Sequence, residues 1–393
     1  MGHLDDKSKS IYFNAFSNGV VPGGIKIDYL KGRELEMDAL KNTLSLIEEK
    51  GVSSFKLIEG HYGSGKTMML SVFEKEAISK GYLVSRISLG AHNNFSKPEI
   101  IYRDVMSNLK IRVDETVCDF EDIFKTWLKE TKSSETKTEA HKKIYNVISQ
   151  LHKYHSSFAQ VLLVYIRALI NNDLELSAIA AGWIKGDYNL PYEQKRKLNI
   201  KGNIDRHNAF DILRGFSKLT NLLGYKGLVI LVDELEYILR ERIDIRQKAY
   251  TSMRHLLDEV GENKWHQTVF IGAQTPEITS DKEKGYYSYE ALSQRIISEF
   301  NDMSHLKDYR NLTVIPLTRI SDATLIEIGE QIAELTECGV NKNHLSKLAL
   351  LEMKKNEKTK NKQGVIREYI KFFIHLLELS NNKPDMPIFR VNR

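Results

Sequence analysis

Cysteine is nearly absent: the 393 residues hold two, Cys118 and Cys338, far apart and with no C-x-x-C pairing. Neither a disulfide framework nor a zinc site is therefore expected. No secretory leader opens the chain, and no apolar run approaches the roughly 18 residues that a spanning helix needs. The expectation is a reduced, cytoplasmic protein without a membrane anchor. An extreme of charge is missing too. Lys and Arg total 57 against 52 Asp and Glu, a net of +5, which suits nucleic acid or an acidic partner without deciding for either.

What is present is GHYGSGKT, Gly60 to Thr67, directly behind the apolar run FKLIE and directly ahead of MMLSVFEKEAISKG. The spacing G-x-x-x-x-G-K-T asks for a strand, a turn whose backbone N–H groups wrap a phosphate chain, and a helix whose N-terminus faces that charge. Gly60, Gly63 and Gly65 open conformations closed to residues with a Cβ and let the backbone approach the phosphates. Ser64 and Met68 belong to the same contact. Lys66 would reach the β- and γ-phosphates, and the Thr67 hydroxyl would sit on Mg²⁺. Far downstream, GLVILVDELEYIL carries a continuous apolar strand, Leu228 to Val232, that ends in Asp233 and Glu234. Such a strand is buried on both faces. Asp233 is placed to hold Mg²⁺ beside Thr67, and Glu234 to polarise the water that attacks the γ-phosphate. Either carboxylate alone would also suit a helix N-cap; the pairing with the loop decides for ATP and Mg²⁺.

Around these two stretches the chain divides into an N-terminal arm (1–24), a P-loop core (25–318) with a helical insertion (119–223), a helical lid (319–380) and a tail (381–393). The arm is polar, lacks a sustained period and closes at VPGG, Val21 to Gly24, so mobility or dependence on a partner is expected of it. IDYLKGRELEMDALKNTLSLIEEKG reads as a helix whose stripe is Leu35, Ala39, Leu40, Thr43, Leu46 and Ile47. YLVSRISLG reads as a strand, and PEIIYRDVMSNLK as a helix opened by Pro98. Strand, loop, helix, strand, helix is the order of a parallel sheet with crossover helices. In the insertion, TKSSETKTEA (131–140) reads as a mobile connection and YEQKRKLNIKGNIDRH as a basic loop. There Lys195, Arg196, Lys197, Lys201 and Arg206 form either a nucleic-acid contact or a solvated charged face. Trp127, Tyr145, Trp183 and Tyr188 read as packing residues. The lysine run Lys354 to Lys362 reads as a solvated loop between lid helices.

The order of these parts resembles an AAA+ ATPase of the origin-recognition or signal-transduction branch. By that resemblance Gly32-Arg33-Glu34 lies beside the adenine, with a surface arginine at a helix start as the alternative for Arg33. The strand in WHQTVFIGAQTPE would end in a sensor, Gln274 or Thr275. Arg295, with Arg319 as a rival, would be a finger reaching a neighbouring subunit's ATP, which implies a homo-oligomer. Gly364-Val365-Ile366-Arg367 matches a lid pattern whose arginine reaches the nucleotide. More narrowly, VVPGGIKIDYLKGRE, AAGWIKGD, YKGLVILVDELE and TPEITSDKEKGYYSYEALSQRI resemble the bacterial BREX-system ATP-binding domain family, which is associated with phage defence. The resemblance implies an α/β fold, a three-layer parallel-sheet P-loop AAA+ core with a helical insertion and a C-terminal helical lid. It implies ATP and Mg²⁺ as cofactors, ATP hydrolysis, and a setting beside DNA and a helicase or other DNA-processing protein. A motor or switch is one reading of its function; the other is a nucleotide-gated module that docks a partner with little turnover.

Overall fold

The computed structural model describes residues 5–22, 25, 27–113, 116–118, 120–134, 136–187, 190–297, 308–336, 340–355, 365–383 and 386. Seven strands form one sheet: β1 (Ser54–Glu59), β2 (Leu83–Ser88), β3 (Leu109–Val113), β4 (Thr116–Cys118), β5 (Leu228–Asp233), β6 (Thr268–Gln274) and β7 (Val314–Pro316). Their order is β4-β3-β2-β5-β6-β1-β7. The five strands from β2 to β7 are mutually parallel, and β3 and β4 extend the edge as an antiparallel hairpin.

Successive strand residues point to opposite faces, and here the faces feed two separate cores. Leu57, Leu83, Leu228, Ile230, Val232 and Phe270 enter one, which also takes the insertion helices and the helix Ile243–Gly261. Ile58, Val84, Val229, Leu231, Val269 and Ile271 enter the other, with the helices Glu34–Lys50 and Lys66–Ser79 and the lid. That is the expected three-layer α/β arrangement. Because β5 and β6 are buried along their whole length, Leu228 to Val232 and Val269 to Ala273 read as unbroken apolar runs.

Five expectations are corrected. The helix opened by Pro98 stops at Ser107, and Leu109 and Ile111, alternating with Lys110 and Arg112, go into β3 instead. Lys110 then reaches Glu74 at 2.6 Å. Residues 131–140 are not a loose connection: Thr136 and Glu139 form a reciprocal capping box that opens the helix Lys137–Leu151. Within the basic stretch, Tyr192–Lys197 is a short helix. Of the helix 34–50 stripe, Leu35 is exposed, and Met37 and Leu44 are buried. Trp127 and Trp183 are core residues, whereas Tyr145 is 75% exposed; Tyr188 lies outside the described residues, as do 23, 24, 356–364 and most of the tail.

The N-terminal arm is also ordered differently from the expectation. Asp6–Ser17 is a helix capped by Asp5, whose carboxylate accepts from Ser8 N. Tyr12 and Phe16 are buried, with ring centroids 5.4 and 6.1 Å from Tyr29, and the helix packs on the last lid helix. The lid itself is three helices, Asp322–Ala333, Lys342–Lys355 and Val365–Asn382. They meet at Gly329, where a Cβ would stand 2.5 Å from Tyr369 Oη and 2.6 Å from Ser346 Oγ. Among the described residues no helix is long and apolar enough to cross a membrane.

Candidate nucleotide site

At the C-terminal end of β1 the chain turns through Gly60 into the loop. Gly60 N donates to Gln274 O at 3.0 Å, and a Cβ on Gly60 would stand 2.4 Å from Ser64 Oγ and 3.0 Å from Leu317 Cβ, so only glycine fits. Gly63 and Gly65 have φ of 81° and 99°, the left-handed region that costs glycine nothing. Gly65 is the N-cap of the helix Lys66–Ser79 and supplies no side-chain oxygen. The first N–H groups of that helix are thus left for an anion. Lys66 is folded back over the loop: Nζ donates to Gly60 O at 2.6 Å, and it lies 5.1 Å from the centre of the Tyr62 ring. Burial pushes the lysine below its ordinary pKa.

Facing the loop is the end of β5. Asp233 is 5% exposed; its Oδ1 accepts from Glu234 N at 3.1 Å and its Oδ2 from Arg86 at 3.1 Å. Arg86, from the adjacent strand β2, also donates to Thr67 O at 3.4 Å, so it ties the two candidate metal-binding residues together. Glu234 takes φ 59°, ψ 42°, an uncommon conformation for a side-chain-bearing residue. That turn starts the tight helix Leu235–Arg240 and leaves the Glu234 carboxylate exposed while Glu236 is buried. Gly63, Lys66, Thr67, Asp233, Glu234 and Glu236 line one cavity. Its far wall is Arg367 with Ile366 and Ile370 from the lid, and Phe16, Val20 and Val21 from the N-terminal segment. A second, apolar hollow opens beside it, walled by Tyr29, Leu30, Ile320 and Ile332, and shares Phe16, Met68 and Ile370 with the first. The first is lined by the loop and by charged groups, and the second mostly by apolar side chains.

A family model for the BREX system ATP-binding proteins BrxC/D matches residues 5–391. The chain belongs to that family. No curated protein matches the chain. Among solved structures, that of the Aeropyrum pernix ORC1 protein in complex with DNA is similar, with 14% sequence identity and a TM-score of 0.40. The match covers 92% of this chain and 63% of that one, so this chain spans less than two thirds of the ORC1 protein's length.

In this BREX-family protein the other expected site residues are placed unequally. Arg33 does reach the apolar hollow, but it is not the surface arginine of a helix start. It is 3% exposed and donates to Glu36 Oε1 at 2.9 Å, to Thr318 O at 2.7 Å and to Ser64 O at 3.1 Å, bracing the loop. Gln274 is fully buried and does not line the cavity. Its amide donates to Glu59 at 3.0 Å and its carbonyl accepts from Tyr286 at 2.6 Å, so its polar ends are engaged inside the protein. Thr275, 1% exposed, bonds to Glu277. Arg295 pairs with Asp258 on the helix Ile243–Gly261 and lines neither hollow. Arg319 is exposed and likewise outside them. Gly364 lies outside the described residues, while Arg367 is exposed at the cavity wall.

Three contributors were not anticipated. Arg86 has no motif around it, and Phe16 acts through a fold contact that no local pattern carries. Glu236 stands within three residues of Asp233, in the first turn of the helix Leu235–Arg240, and was the one nearest to a motif already read. Burial raises its pKa above the ordinary carboxylate range.

Thr67 and Asp233 offer hard oxygen donors of the kind Mg²⁺ takes. Among the described residues no group of three or more His, Cys, Asp or Glu could hold a metal. An ion here would therefore need the nucleotide's phosphate oxygens and water to complete its shell.

Proposed function

We propose that this BREX ATP-binding protein binds ATP with Mg²⁺ in the two joined hollows and hydrolyses it. The observation that supports this most is the meeting of Lys66, Thr67, Asp233, Glu234 and Arg367 around one cavity, although they come from the loop, β5 and the lid. In this reading the loop amides and Lys66 hold the phosphates, Thr67 and Asp233 take the metal, and Glu234 draws the proton from the attacking water. Arg367 lets the lid sense the phosphate. Glu234→Gln should keep ATP binding and lose about 10²-fold or more in turnover, the scale of a general base. Phosphate release and equilibrium ATP binding, measured on the same protein, test it; an unchanged rate removes Glu234 from the chemistry.

The work done by hydrolysis is proposed to fall on DNA or a DNA-processing partner. The exposed cations Arg196, Lys201 and Arg206 support it, and Lys197 is less available because it pairs with Glu175 at 2.5 Å. Binding through them would weaken steeply with salt. A second reading, a nucleotide-gated docking module with slow turnover, is favoured by one observation. Gln274 is sequestered by Glu59 and Tyr286, so no sensor side chain from β6 enters the cavity. Turnover that stays near zero with and without duplex DNA, together with ATP-dependent partner binding, would select it.

A further inference from the structure

Of the three carboxylates at the end of β5, two have a use in the reading above and Glu236 has none. It is 6% exposed, lines the cavity, and neither of its oxygens has a hydrogen-bond partner. Lys66 Nζ stands 4.0 Å away, outside hydrogen-bond reach, and is already committed to Gly60 O at 2.6 Å. A buried carboxylate without donors is unfavourable, and folds keep one only where something offsets it. A polyphosphate alone does not. It brings acceptors and further negative charge, and in a buried site that charge is poorly screened. A divalent cation removes most of that charge.

We propose that Glu236 makes the site selective for metal-loaded nucleotide: its buried carboxylate, which has no hydrogen-bond donor and only Lys66 at 4.0 Å as a counter-charge, rejects a bare polyphosphate and tolerates one neutralised by a divalent cation. The inference rests on the nucleotide-binding reading and adds a specificity determinant to it. The position suits this role better than Asp233 or Glu234 does. Asp233 is compensated by Arg86 at 3.1 Å, and Glu234 is exposed, so water screens it.

The test is calorimetric titration of the full chain with ATP, once with Mg²⁺ and once with EDTA, for the wild type, Glu236→Gln and Glu236→Leu. The ratio of the two affinities is the readout, because any general loosening of Lys66 or of the fold changes both arms alike. The wild type should bind Mg-ATP more tightly than metal-free ATP. In Glu236→Gln that ratio should fall by about tenfold or more through a gain in the EDTA arm, the size of one poorly screened charge pair. The leucine variant should do the same, and it keeps the test open if the glutamine variant does not fold. An unchanged ratio in the variants, with Mg-ATP still bound by the wild type, overturns the inference alone. A wild type that binds ATP in neither arm overturns the nucleotide-binding reading along with it.

Discussion

Arg33 is a buried charge that the fold keeps by engaging both of its terminal nitrogens within the protein: with a carboxylate, a carbonyl of the loop and a carbonyl past β7. Arg33→Ala strands Glu36, itself 3% exposed, and breaking such a pair costs about 3–5 kcal/mol. Denaturant unfolding should show that loss, and ATP affinity should fall as well because Ser64 O is released. The triplet Gly32-Arg33-Glu34 pointed to this position in the sequence, but not to the brace. Its partners Ser64 and Thr318 are 31 and 285 residues away, a distance no local pattern spans. Lys56 makes a second case at this scale. Burial lowers it to about 8 from 10.5, even though it donates to Arg310 O at 2.9 Å and Leu312 O at 2.7 Å. Between those pKa values the unfolded chain holds a proton that the folded one has released, so raising the pH favours folding. Wild-type stability relative to Lys56→Met should therefore climb from pH 8 towards pH 10.5 and stay level below pH 8, as urea unfolding across that range would record.

Among the elements, the lid depends on one close approach. An added methyl at Gly329 meets Tyr369 and Ser346, residues of the two other lid helices, and overpacking of this kind costs about 1–3 kcal/mol. Gly329→Ala should lower the thermal midpoint, and it should weaken ATP binding too, because the helix it displaces carries Arg367. The helical character of 319–380 was legible in the sequence. Of the parallel strands, β5 and β6 were legible as apolar runs buried on both faces, and β1 and β2 as the strands on either side of the loop helix. The edge hairpin was not. Its strands have five and three residues, and the helical pattern from Pro98 runs into the first of them without a breaker. Nor was the N-terminal helix, whose buried positions are only Tyr12 and Phe16; two aromatics make a spot and not a stripe, and the surface that covers them lies at the other end of the sequence. The capping box at Thr136 was there to be read, T-x-x-E, inside a stretch whose polarity suggested a loop.

For the molecule as a whole, the question is whether one copy is sufficient. Arg295 sits away from its own cavity, paired with Asp258, the placement needed if it serves a neighbour's ATP. Turnover per subunit should then rise with protein concentration, and Arg295→Ala should lose about 10³-fold or more. Mixing Arg295→Ala with Glu234→Gln should restore part of the rate, because some interfaces then join an intact arginine to an intact glutamate. Steady-state phosphate release from the separate and mixed proteins decides it; no recovery, with both variants folded and assembled, argues that each site works alone. The walls of the cavity raise a different matter, that of timing during synthesis. Phe16 and Ile370 meet across the same space, and a ribosome adding about 5–20 residues per second makes the first of them long before the second. A nascent chain carrying a finished loop and a finished β5 still has no closed pocket, so nucleotide cannot be trapped until almost the last helix has emerged. Capture of ATP would then follow the emergence of the helix Val365–Asn382, and copies that stop before it would be left with an open site.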